Sequence, residues 1–160
     1  MSQQIVILAA GKGTRMGVDM PKVLLPLQEG QPVISHLLEG VKAVAQDTAP
    51  IIVVGFQKEL VQETLGSDYL YVTQFDQKGT AHAALSAKPA VTAENIIVLN
   101  GDMPFISHQT LSNLSQRHIE NDAKVSMLTC MLPNFEGDYA NLFSYGRIIR
   151  DAEGNISGLT

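Results

Sequence analysis

Cysteine occurs once in these 160 residues, at Cys130, so a disulfide framework and a cysteine-based zinc site are both excluded. The residue lies in the apolar run "VSMLTCML" (125–132) and reads as a buried, reduced thiol. Basic residues are also scarce: 11 Lys and Arg stand against 16 Asp and Glu, a net charge of −5. Binding to a phosphate backbone needs a broad positive face, so no nucleic-acid partner is expected. No segment approaches the roughly 20 apolar residues that span a bilayer, so no membrane partner is expected. The N-terminus enters an apolar alternation without a basic leader or cleavage site, which points to a cytoplasmic protein. There is no internal repeat, low-complexity tract or linker. One globular domain over 1–160 is therefore expected, burying roughly two thirds of its unfolded surface.

What is present alternates. The segments 4–10, 50–56, 69–74, 95–102 and 123–132 are β-branched and apolar on both faces, the pattern of strands in a covered sheet. Between them the spacing predicts a helix over 32–46, with Pro32 in its first turn. Shorter helices follow at 57–65, 80–88 and 107–120, the last capped by Ser107. This βαβα order implies an α/β fold: a Rossmann-like, doubly wound, mostly parallel sheet in three α/β/α layers. Ligands of such sheets sit at the carboxyl ends of the strands. After residue 132 come a polar loop over 133–144, a strand "YGRIIRD", a turn, and the start of a returning strand at "ISGLT". A hairpin left unfinished at the terminus suggests a truncated chain.

Three loops carry chemistry. In "LAAGKGTRMGVDMPKVLLPL" (8–27), Gly11 and Gly13 follow the first strand, where a turn leaves backbone N–H groups facing an anion. Lys12, Arg15 and Lys22 add cations, with only Asp19 opposing them, so the ligand should be a small polyanion such as a nucleoside triphosphate. The spacing matches neither G-x-x-x-x-G-K-[ST] nor G-x-G-x-x-G, because no Lys-Ser/Thr follows the second glycine and Met16 replaces the third. In "VLNGDMP" (98–104), Asp102 stands just past the fourth strand on the same rim. It is either an oxygen ligand for Mg2+ shared with substrate phosphates or a turn-capping carboxylate. In "QFDQKGTAHA" (74–83), Gln74 and Gln77 bring amides that donate and accept in one plane, as reading a base edge requires, and Gly79 permits close approach. His82 reads as a satisfied helix histidine, and His36, His108 and His118 have no partner spacing.

Taken in order, "LAAGKGTRM" with the following "PK", "QFDQKGTAHA", "NGDMPFI" and "YGRIIRD" resemble the sugar-phosphate nucleotidyltransferase family over nearly the whole chain. They are most similar to the uridylyltransferase domain of N-acetylglucosamine-1-phosphate uridylyltransferases of the GlmU type. The resemblance implies a GT-A-like fold and Mg2+-dependent transfer of a uridylyl group from UTP to a sugar 1-phosphate, foremost N-acetylglucosamine 1-phosphate, with release of pyrophosphate. In-line transfer of this kind asks the protein to position two anions and neutralise charge. By resemblance, Leu8, Ala10, Gly11, Gly13 and Arg15 hold the nucleotide, and Lys22 lies beside the α-phosphate and the incoming sugar phosphate. Arg15 and Lys22 are the catalytic pair. Gln74, Gln77, Gly79 and Thr80 read uracil and ribose, Asp102 ligates Mg2+, and Gly146 sets its backbone against the sugar.

The alternatives are a thymidylyl-, cytidylyl- or guanylyltransferase of the same superfamily, or a nucleotide-binding module without turnover. Three departures from the family pattern stand out. Ala81 replaces the second glycine of the family's G-T-G-H-A, the loop over 133–144 is long, and Thr160 precedes the family's downstream sugar-binding residues and second metal ligand.

Overall fold

A computed structural model describes residues 2–13, 17–27, 30–45 and 48–160. It divides into two compact units, Met1–Ser126 and Met127–Thr160. The first holds strands β1 (Gln3–Ala9), β2 (Ile51–Val54), β3 (Leu70–Thr73) and β4 (Asn95–Asn100). These alternate with helices α1 (Val33–Lys42), α2 (Lys58–Leu65), α3 (Thr80–Ser86) and α4 (His108–Glu120). The strands form one sheet in the order β3-β2-β1-β4, every pair parallel. Val6 sits opposite both Ile51 and Val98, so the central strand β1 is hydrogen-bonded along both edges.

Because side chains alternate across a strand, the sheet has two different faces. Ile5, Ile7, Ile52, Val54, Ile97 and Leu99 point to the side where Ile34, Leu37 and Val41 of α1, Val61 of α2 and Leu111 of α4 close the larger core. Val6, Ile51 and Val53 point to the other side, covered by Ala83 and Ala87 around α3. Those small side chains let α3 lie close to the sheet. Helices on both faces make this the doubly wound, three-layer α/β arrangement that the alternation implied. Among the described residues no helix is long and apolar enough to cross a membrane.

Of the two helix-boundary signals, Ser107 acts as expected and Pro32 does not. Ser107 caps α4, its Oγ accepting from the Thr110 N–H at 3.2 Å. Ser107→Ala is expected to lower stability by about 1 kcal/mol, the usual cost of a lost N-cap, as a lower urea midpoint at unchanged slope. Pro32 is the residue before α1 and not its first-turn residue; its ψ of 142° is extended and turns the chain into the helix.

Two expectations are corrected. No strand forms over 123–132, and Cys130 is exposed and not buried. Val125 and Met131 are 78% and 96% exposed. An apolar, β-branched run favours extended backbone, but a strand also needs a neighbour for its N–H and C=O groups. Among the described residues this run pairs with none.

The second unit is built around the antiparallel pair β5 (Ile148–Arg150) and β6 (Ile156–Leu159), with Ile148 opposite Leu159. The predicted hairpin is thus formed. Asp151 closes its turn, Oδ1 accepting from the N–H groups of Glu153 and Asn155. The region read as a polar loop holds a 3-10 turn over Gly137–Ser144. The Phe135 and Phe143 rings there meet edge to face at 5.6 Å, and the Arg147 guanidinium lies over both.

Candidate active site

At the carboxyl ends of β1, β3 and β4 the first unit opens into a cavity of about 420 Å³. All three loops singled out from the sequence reach it. Leu8, Ala10 and Gly11 contribute the end of β1 and its turn; Lys22 comes from the short helical turn that follows. Gln74, Gln77, Gly79 and Thr80 form the loop from β3 into α3, and Asp102 closes the side beyond β4. Ala81 is exposed in the first turn of α3 and does not line the cavity.

The backbone brings these loops together by close approach at two glycines. Gly101 donates its N–H to the Leu8 carbonyl at 2.9 Å, and a Cβ there would meet Val23 Cγ1 at 2.9 Å and Leu8 O at 3.0 Å. Only a hydrogen at that position lets the β4 end fold over the β1 end and carry Asp102 to the rim. Gly13 has φ +68°, and a Cβ there would press on the Lys22 side chain at 3.1 Å. The first glycine turn therefore leaves room for the Lys22 stem.

The outcome is an ion pair: Lys22 Nζ donates to Asp102 Oδ2 at 2.6 Å, across 80 residues of sequence. Both side chains are partly open, at 45% and 33% exposure. Lys12 goes elsewhere, its ammonium 4.8 Å from the centre of the Phe56 ring. Arg15 lies outside the described residues. Gly146 belongs to the second unit, where a Cβ would meet the Thr160 carbonyl oxygen at 3.1 Å.

The glutamines are fixed through their amide nitrogens. Gln77 Nε2 donates to the Ala10 carbonyl at 3.0 Å, tying the β3–α3 loop to the glycine turn. Gln74 is 5% exposed; its Nε2 lies 3.3 Å from the Gly79 carbonyl and 3.0 Å from His82 Nδ1.

A divalent cation fits this rim in one respect. Among the described residues no three His, Cys, Asp or Glu side chains cluster to cage a metal. Asp102, the one carboxylate lining the cavity among the described residues, already holds a cation, the Lys22 ammonium. A single carboxylate supplemented by waters and substrate phosphates is the coordination that Mg2+ accepts.

The chain has known relatives. The family model for the MobA-like NTP transferase domain matches residues 5–147. The chain belongs to that family. It is 44% identical over 155 residues to a protein from Desulfotalea psychrophila named bifunctional protein GlmU, covering 95% of this chain and 43% of that one. The Carboxydothermus hydrogenoformans protein of the same name is 42% identical over 156 residues, covering 94% of this chain and 32% of that one. The chain thus spans between about a third and under half the length of the curated relatives it matches. Among solved structures, a nucleotidyl transferase from Methanothermobacter superposes with a TM-score of 0.61 at 27% identity, over 71% of this chain and 56% of that one. The neighbouring folds are nucleotidyltransferases of the GT-A-like kind.

Against that family, Val23, Ala83 and Asn100 line the cavity without having been singled out. Asn100 had a signal, since it ends β4 two residues before Asp102. Val23 and Ala83 had none beyond standing next to Lys22 and His82.

Proposed function

We propose that this nucleotidyltransferase-family chain binds UTP with Mg2+ at the strand-end cavity, as the nucleotide half of a sugar-1-phosphate uridylyltransferase. The sugar substrate proposed is N-acetylglucosamine 1-phosphate. One observation carries the reading: a single cavity is lined by the glycine turn, by the Lys22–Asp102 pair and by the anchored Gln74–Gln77 loop. That is one wall for phosphates, one for a cation and one for a base.

In this reading the turn at Gly11 and Gly13 offers backbone N–H groups to the triphosphate, with Arg15 adding a planar fork of donors. Lys22 offsets the charge that accumulates when two phosphate substrates meet on an acidic protein. Asp102 holds Mg2+, which when bound supplies charge neutralisation at the phosphates. Gln74 and Gln77 meet the base, and Gly79 and Thr80 the ribose.

Thermal stability of the chain with Mg2+ and, in turn, UTP, dTTP, CTP, GTP and ATP tests it. At a hundredfold excess over its dissociation constant, UTP is expected to stabilise the fold by about 2.7 kcal/mol. dTTP shares uracil's hydrogen-bonding edge and is expected to follow. Stabilisation by CTP or a purine nucleotide alone overturns the choice of base, and a flat response to every nucleotide overturns the site.

A further inference from the structure

His82 sits in the first turns of α3, half-buried, and its Nδ1 is 3.0 Å from the Gln74 amide nitrogen. Which atom of the Gln74 amide faces which neighbour follows from the other contact. The Gly79 carbonyl can only accept, and it already accepts from the Ala83 N–H at 3.1 Å as the first bond of α3. The Gln74 atom 3.3 Å from it must therefore be the NH2 group. With one amide hydrogen on Gly79, the other falls to His82, whose Nδ1 must be the unprotonated acceptor, leaving the proton of the neutral ring on Nε2. The chain of dependence starts at a backbone carbonyl whose role is fixed by the helix. Gly79, at φ +92°, holds that carbonyl in place.

We infer that His82 is a positioning residue that locks the Gln74 amide with its nitrogen turned into the protein, so that the cavity presents the Gln74 oxygen to the base. Both hydrogens of the amide are occupied within the protein, and Oε1 has no partner among the described residues. A lone acceptor pairs with a base carrying a protonated ring nitrogen, as uracil does at N3. Cytosine turns a lone pair towards it at the same position. The inference rests on the proposed uracil reading for its functional consequence, but not for the contact itself. A wrong base is rejected because a site built for one donor leaves a buried polar group unpaired when the donor is missing.

The contact and its consequence are tested separately on this chain. Long-range proton–nitrogen correlation of the His82 ring, with no nucleotide present, is expected to show Nδ1 unprotonated and Nε2 protonated while the ring is neutral. The opposite tautomer overturns the proposal. Calorimetric titration with UTP and with CTP then reads the consequence. His82→Ala is expected to shrink the preference for UTP over CTP by about fivefold or more, the scale of one net hydrogen bond. His82→Asn, which can set an amide oxygen near the place of Nδ1, is expected to restore it. Equal weakening of both nucleotides in His82→Ala, or an unchanged ratio, overturns the role in selection. If the unaltered chain shows no preference between UTP and CTP, the uracil reading fails, and the ring tautomer still decides whether His82 holds Gln74.

Discussion

Asp102→Asn is expected to lower the Mg2+ affinity of the UTP-bound chain by at least about 10–100-fold, the range found for lesser changes around a bound metal. Asparagine keeps the size and one oxygen of the side chain but removes its charge. Where pyrophosphate release can be followed, the rate should fall by about 10²–10³-fold, as when one electrostatic contact to a transition state is lost. Stability should hardly move. The Lys22–Asp102 pair is open to solvent on both sides, and such pairs contribute about 0–1 kcal/mol. A variant with unchanged urea midpoint and lost metal dependence assigns Asp102 to the metal. Unchanged metal affinity removes it from that role.

Lys22→Met should act in two opposite directions. Its ammonium sits 2.6 Å from the oxygen that Mg2+ is proposed to use, so the two cations compete for Asp102 until a triphosphate draws the lysine away. Without nucleotide, binding of Mn2+ as a spectroscopic probe is expected to tighten by up to about fivefold, the scale of a partly exposed ion pair. With nucleotide the sign reverses: UTP affinity falls, and any transfer rate falls by about 10²–10³-fold through loss of a positive charge on the phosphates. Mn2+ binding without nucleotide, read by electron paramagnetic resonance, separates competition from simple damage. A weaker or unchanged Mn2+ affinity in Lys22→Met contradicts the competition.

The candidate site was legible where the residues that line it announce themselves locally. A glycine turn after an apolar strand, a carboxylate just past another strand, and two glutamines before a glycine each reveal their position through neighbouring residues, and the parallel order of strands puts all three on one rim. The pairing of Lys22 with Asp102 was not legible in that way. It spans 80 residues and depends on Gly101 lying against Leu8, a contact that neither residue type announces. His82 was read as a satisfied helix histidine, and it is one; what spacing could not show was that its partner is Gln74, brought back by the bend at Gly79.

The strand expected over 123–132 fails for a related reason. Its residues favour extended backbone, but pairing is a property of two segments, and apolar periodicity describes only one. Cys130 is exposed as part of the same outcome. The helical segments fared better because their hydrogen bonds are internal and their apolar stripes, such as Ile34, Leu37, Leu38 and Val41 in α1, meet the sheet directly.

One cavity at the strand ends is proposed to receive a uridine triphosphate with its metal. The most direct measurement is a UTP titration, with Mg2+ present, of the chain uniformly labelled with 15N, following backbone and side-chain amide resonances. Saturable shifts are expected at Gly11, Gly79 and Gly101 and at the side-chain amides of Gln74 and Gln77, with the lower strand ends unmoved. Shifts confined to residues away from that rim, or none at millimolar UTP, would contradict the proposal.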